Sequence, residues 1–113
     1  MGKEITEKSE IERLSSLYED IPENKRAIAE GLIVQAARIR VQLDILWKDL
    51  QEHGSTELFS QSEKTEPYQR ERPSARLFVS LDKNYLAIIK QLNDLLPVGE
   101  TDIFAELAEF RNE

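Results

Sequence analysis

Two groups of basic residues offer chemistry. Arg38 and Arg40 stand two apart within an apolar-rich stretch, and Tyr68, Arg70, Arg72 and Arg76 crowd together around Pro73. A tyrosine among arginines can stack on a base while the guanidinium groups meet phosphates. Glu66 and Glu71 dilute that charge, so an isolated subunit reads as an ordinary solvated surface. A closed ring would repeat each arginine about one axis and turn a weak motif into a positive band. The remaining candidates are thin. His53 is the one imidazole and there is no cysteine, which makes a poor zinc set. Its place near an expected helix end suits an interaction with terminal carbonyls. Glu63, Glu66 and Glu71 could suggest Mg²⁺, but a hard cation needs several oxygens converging on one point. Lys64, Arg70 and Arg72 interrupt them, and a solvated loop is the preferred reading. No GxxxxGK[ST] string occurs, so no ATP site of that type is expected. With no catalytic constellation to assemble, an enzyme is the least favoured class, and no metal or cofactor is expected.

The elements that must position these residues are helical. The fold class expected is all-α: a long antiparallel helical hairpin flanked by short N- and C-terminal helices, in a single domain that oligomerises. Ser9-x-x-Glu12 is a capping-box signature, and Ile11, Leu14, Leu17, Tyr18 and Ile21 follow on one face. These predict a short helix over about 9–20. Pro22 suits the opening turn of the next helix, which should run to His53 and stop at Gly54. Ile28, Leu32, Ile39, Leu43, Leu46 and Leu50 form one stripe on it, bordered by Trp47. Ala27, Val34, Val41 and Ile45 form a second on roughly the opposite side. Two apolar sides imply cover on both, and the second stripe is the expected contact between subunits. Gly31 interrupts this helix at a cost of about 1 kcal/mol relative to alanine. With Ala27 it either permits a close approach of another helix or is a tolerated weak spot.

Residues 54–72 are polar and without period, and read as a long loop that Leu58 and Phe59 help to pin. Pro67 and Pro73 stop regular structure in it. A third helix is expected over about 73–96. Leu77, Leu81, Tyr85, Ile88, Leu92 and Leu95 share its inner face, widened by Phe78, Ile89 and Leu96. Helices of this length pack most simply as an antiparallel pair. Pro97 and Gly99 end the third helix. Thr101 or Asp102 can cap a last short one over about 102–111, with Ile103, Leu107 and Phe110 inward.

Bulk properties bound the partners. Forty per cent of the 113 residues are apolar and 33% charged, which suits a surface-rich helical protein. No run approaches the ~20 apolar residues of a membrane span, and MGKEITEKSE has no apolar signal core. The expected setting is cytoplasmic and reducing. The formal net charge of −7 disfavours unaided, sequence-blind binding to nucleic acid. Residues 1–20 carry −3 and residues 98–113 carry −4, leaving a balanced middle. The acidic ends serve solubility, repel DNA from one surface, or dock on a basic partner. No helix-turn-helix reader is evident, because the helix after the tight joint near Asp20–Pro22 is too long and too apolar.

The order of three strings resembles a family. DIPENKR at Asp20–Arg26 leads into a long helix containing Ala36–Arg38 and Leu43. After the polar loop come RPSA at Arg72–Ala75 and KNYLAIIKQLNDLLP at Lys83–Pro97. From about Leu17 to Pro97 the chain is similar to the short phage and prophage terminase small subunits of tailed-phage packaging modules. That resemblance implies a helical, ring-forming, non-catalytic protein in the bacterial host cell. It would engage double-stranded viral DNA and hand it to a large terminase subunit carrying the motor and nuclease. The chain departs from the family in lacking a clear N-terminal DNA-binding helix-turn-helix. Its middle reads SQSEKTEPYQRER where the family is often rich in Gly, Asn and Gln. Arg38, Arg40, Tyr68, Arg70, Arg72 and Arg76 are the candidates for DNA contact, on their charge and placement. The competing reading is a small helical adaptor or regulator that binds a protein partner.

Overall fold

The structure is a computed structural model, and it describes residues 4–97. The expected helix over about 102–111 lies outside the described residues. In order along the chain come helix α1 (Glu7–Leu17), a 3-10 turn (Glu23–Lys25), helix α2 (Arg26–His53), strands β1 (Thr56–Phe59) and β2 (Tyr68–Glu71), and helix α3 (Pro73–Leu95). The fold is therefore mostly helical with a small two-stranded sheet, which corrects the all-α expectation. The terminal side-chain contacts fix the hairpin as antiparallel. Ala29, Ile33 and Ala36 from the first half of α2 share a core with Ile88 and Leu92 from the last half of α3. At the other end Trp47 of α2 meets Phe78 of α3, with ring centroids 5.9 Å apart.

α1 starts earlier than the Ser9 capping signature implies. Thr6 is the N-cap, and its hydroxyl accepts from the Ser9 N–H at 3.0 Å. The Ser9 hydroxyl in turn accepts from the Thr6 N–H at 3.0 Å. Ser9 thus closes the box as its third helical residue, with serine filling the place usually held by Glu or Gln. Leu14 and Tyr18 are buried as expected, and so is Ile21 just beyond the helix, while Leu17 is 61% exposed. Glu10, not an apolar residue, takes the fourth inward position. After α1 the chain turns sharply, and the Arg26 guanidinium donates to the carbonyls of Glu19 and Ile21 at 3.1 Å each. Those bonds close the joint, so α2 proper begins at Arg26 instead of Pro22.

α2 ends at Gly54, whose φ of 76° places it in the left-handed region that suits glycine. Its N–H still donates to the Leu50 carbonyl at 2.8 Å. α3 opens with Pro73 in its first turn, where no helical donor is lost. Between them the polar stretch is an antiparallel pair, registered Thr56 with Glu71 and Phe59 with Tyr68. An isolated hairpin is marginal in water, and specific contacts hold this one. Phe59 and Tyr68 meet edge to face at 6.0 Å, and the Arg70 guanidinium lies 3.6 Å from the Phe59 ring centre. The tip is tied by the Ser60 hydroxyl, which donates to carbonyls of Ser62 and Thr65.

The core sits where all three helices meet. Leu14, Ile21, Ala36, Ala37 and Leu92 are almost fully enclosed. Small alanines on α2 let the helices approach closely, so the buried face of α2 is Ala29, Ile33, Ala36, Ala37 and Leu43. The larger residues of the expected stripe flank it: Leu32, Ile39, Leu46 and Leu50 are half-buried and Ile28 is exposed. Leu92→Ala should cost about 2–5 kcal/mol, whereas Leu17→Ala should change stability by less than about 0.5 kcal/mol. Urea unfolding followed by circular dichroism checks both.

Candidate nucleic-acid interface

The six sequence candidates fall in two places. Tyr68, Arg70, Arg72 and Arg76 gather around β2 and the first turn of α3. Arg38 and Arg40 lie on α2 against α1. A shallow, open hollow lined by Arg70, Glu71, Pro73, Arg76 and Leu77 marks the first group. Its members differ in what they can offer a ligand. The Arg76 side chain is 83% exposed and reaches only Glu71, at 3.4 Å. Tyr68 is exposed, with one ring edge on Phe59. Arg70 spreads over Phe59 and holds Glu57 at 2.7 Å from the opposite strand. Arg72 is only 16% exposed. It pairs with Asp49 at 2.9 Å and donates to the Gly54 carbonyl at 2.8 Å. Its guanidinium is thus committed to fastening the hairpin to the end of α2.

On α2, Arg38 meets Glu7 of α1 at 3.1 Å and stays two-thirds exposed. Arg40 approaches Glu10 at 3.9 Å. Glu10 is the buried charge among the described residues. Arg13 grips it through two bonds of 2.7 and 2.9 Å and extends a third, at 3.3 Å, to the Tyr85 hydroxyl on α3. The hydrogen bond from Arg13 holds the Glu10 carboxyl below its usual range. Burial opposes this, and the charges of Arg13 and Arg40 add to the lowering. Nearby, burial pushes the Tyr18 phenol up, with Tyr85 adding to the shift. Tyr18 keeps its proton and donates it to Asn93 on α3 at 2.7 Å.

The acidic partners Glu7, Glu10, Asp49 and Glu57 belong to the arrangement as much as the arginines do. Only Arg13–Glu10 had a legible signal, being three apart on one helix. The others join residues 13 to 31 positions apart, which no local spacing reveals. His53, at the end of α2, is exposed and lies 3.7 Å from Glu52 and 3.9 Å from Asp49. Among the described residues no group of three or more His, Cys, Asp or Glu is placed to hold a metal ion. Among the same residues no helix is long and apolar enough to cross a membrane.

The stripe expected between subunits is divided. Val34 and Val41 are half-buried, on the side of α2 where Arg38 meets α1. Ala27 is exposed, and Ile45, beyond the reach of α1, is 54% exposed. Comparison with known proteins gives no match: no family model, no curated protein and no solved structure matches this chain.

The Glu10 cluster makes a pH prediction. A carboxyl held low in the folded state stabilises the fold above its unfolded pKa and loses that contribution as pH falls through the folded value. Glu10→Gln should therefore lower the urea midpoint at pH 7. The gap to the parent should narrow as pH drops below roughly 4. Urea titrations from neutral to acid pH check the sign.

Proposed function

We propose that this chain is a small, non-catalytic terminase-type subunit. Copies of it assemble, engage double-stranded viral DNA and pass it to a large subunit that carries the packaging motor. Its setting is the cytoplasm of the bacterial host. The KNYLAIIKQLNDLLP string, with RPSA and DIPENKR before it, brings the family into view. The observation that carries the DNA-binding part is the convergence of Arg70 and Arg76 on an open hollow at one end of the hairpin, with Tyr68 on the same strand as Arg70. Arg76 is the freest of these cations, Arg70 is held flat by an aromatic ring, and Tyr68 offers an aromatic edge. Phosphates would meet the two guanidinium groups, which fits contact with a backbone better than readout of bases. Arg72 supports this surface from behind by fixing the start of α3.

One observation favours the adaptor reading. Each of Arg38, Arg40, Arg70, Arg72 and Arg76 already has a carboxylate within 4 Å. A protein partner would find a mixed-charge helical surface there.

A mobility-shift titration with double-stranded DNA at two salt concentrations separates the two readings. On the packaging reading, Arg70→Ala and Arg76→Ala each weaken binding for all sequences alike and reduce the salt slope by about 1. Arg38→Ala changes it less, because Arg38 lies on α2 beside α1 and does not line the hollow. No binding at low salt, together with capture of a protein partner by the unmodified chain, would replace this reading with the adaptor.

A further inference from the structure

We infer that two copies of this chain pair through the side of the α2–α3 hairpin that faces away from α1. The inference deepens the self-assembly part of the reading above and needs no role for DNA. At 100° per residue, the positions of α2 on that side between Ile28 and Leu46 are Ile28, Gly31, Leu32, Gln35, Ile39, Gln42 and Leu46. Those of α3 run from Leu77 through Leu81, Asn84, Ile88 and Gln91 to Leu95, with Ser80 and Ala87 beside them, and Ile88 is sealed in the core. None of these is charged, in a chain that is 33% charged; the next α2 position at the angle of Gly31 is Asp49, which Arg72 answers at 2.9 Å. The contacts of α1 place it on the other side, since it reaches Tyr85 and Asn93 of α3 and Arg38 and Arg40 of α2. Nothing among the described residues covers the charge-free side. Ile28 is 61% and Leu77 48% exposed. Gln35, Gln42, Asn84 and Gln91 are exposed, and Leu32, Ile39, Leu46, Leu81 and Leu95 are half-buried.

Three arguments make a second copy the occupant. The first is charge. Molecules of net charge −7 repel one another, and depletion of charge is the mark of an interface centre. A face without charge is where two such molecules meet at least cost. The second is self-complementarity. A twofold interface sets a patch against itself. A carboxylate or ammonium cannot pair with its own kind, whereas an amide both donates and accepts and so can. Here the polar positions among the apolar ones are amides. The third is Gly31. A methyl group built there meets nothing within 4 Å, so no packing among the described residues requires glycine at this costly mid-helix position. Glycine on an uncovered face lets a second backbone come close. The size suffices: Leu77 to Leu95 spans about 27 Å and two adjacent helices about 20 Å across. That is roughly 1,000 Å² for a pair, the lower bound for a specific contact. Ala27 and Ile45, exposed elsewhere on α2, leave room for a second contact through which pairs could close a ring.

Sedimentation equilibrium of the full chain from about 1 μM to about 1 mM tests this. The mass should rise from 13.1 kDa toward twice that value. Its dissociation constant should not rise with salt and should fall modestly, because no ion pair crosses the contact and salt screens the repulsion between two copies of net charge −7. Gln42→Glu with Asn84→Asp, nearly isosteric changes at exposed positions, should weaken pairing at least about tenfold with an unchanged circular dichroism spectrum. Gly31→Gln should raise the melting temperature of the monomer, as helix propensity requires, and still weaken pairing. Ile45→Glu should leave the pair intact. A monomer throughout the range overturns both the pairing and the self-assembly reading. Association that Ile45→Glu abolishes and the Gln42/Asn84 changes spare overturns this face alone, and the DNA titration stands apart from either result.

Discussion

A short helix lies on one side of a much longer hairpin, and the rest of the surface follows from that mismatch. α1 has 11 residues, against 28 in α2 and 23 in α3. At 1.5 Å per residue it covers about 16 Å of a hairpin about 40 Å long. Where it sits, three helices enclose a core, and Leu14, Ala36 and Leu92 lose nearly all contact with water. Beyond it the hairpin is two helices thick. Trp47 remains half exposed there despite lying in line with Ala29, Ile33 and Ala36. The fixing of α1 is partly polar. Arg13 and Glu10 bridge to Tyr85, and Tyr18 bridges to Asn93, so both ends of α1 are registered against α3.

The electrostatics carry the same division. α1 supplies Glu7 and Glu10 to Arg38 and Arg40, so the arginines of the long helix are answered within the chain. At the far end the cations are arranged differently. Arg72 is spent on architecture and Arg70 is half spent on Phe59 and Glu57, while Arg76 projects into solvent. Exposed pairs of the Arg76–Glu71 kind contribute little to stability, so a phosphate could replace Glu71 at small cost. Replacing Asp49 on Arg72 would instead unfasten the hairpin. On the side away from α1 the stretch of α2 from Ile28 to Leu46 carries no charge, and Asp49 just beyond it is answered by Arg72.

Local chemistry made much of the fold legible. Gly54 ends α2 because only glycine tolerates its φ cheaply, and Pro73 opens α3 because a first-turn residue needs no donor. These signals act within a few residues and survive any tertiary context. The first capping box lies nearly one turn before the expected one because Thr6-x-x-Ser9 and Ser9-x-x-Glu12 overlap, and the hydroxyl pair won. The hairpin strands were missed because Thr56–Phe59 and Tyr68–Glu71 are too short for a period to stand out. Their stability comes from cross-strand partners such as Glu57 and Arg70. Of the six arginine and tyrosine candidates, their type and rough clustering were readable. That Arg72 is inward and Arg76 outward was not, since the two differ only in what lies opposite.

By itself the sequence determined the three helices, their stops and the apolar content that forces them together, because periodicity and capping are properties of adjacent residues. Tertiary structure alone decided which of several apolar stripes is sealed. The alanines Ala29, Ala36 and Ala37 became the heart of α2, and the bulkier Ile28, Leu46 and Ile45 were left at its margins. The physical reason is distance of approach. Helices close in along the face with the smallest side chains, and hydropathy alone does not rank an alanine above an isoleucine for that purpose. The same choice of inner face left Ile28, Gly31, Gln35 and Gln42 exposed among the described residues.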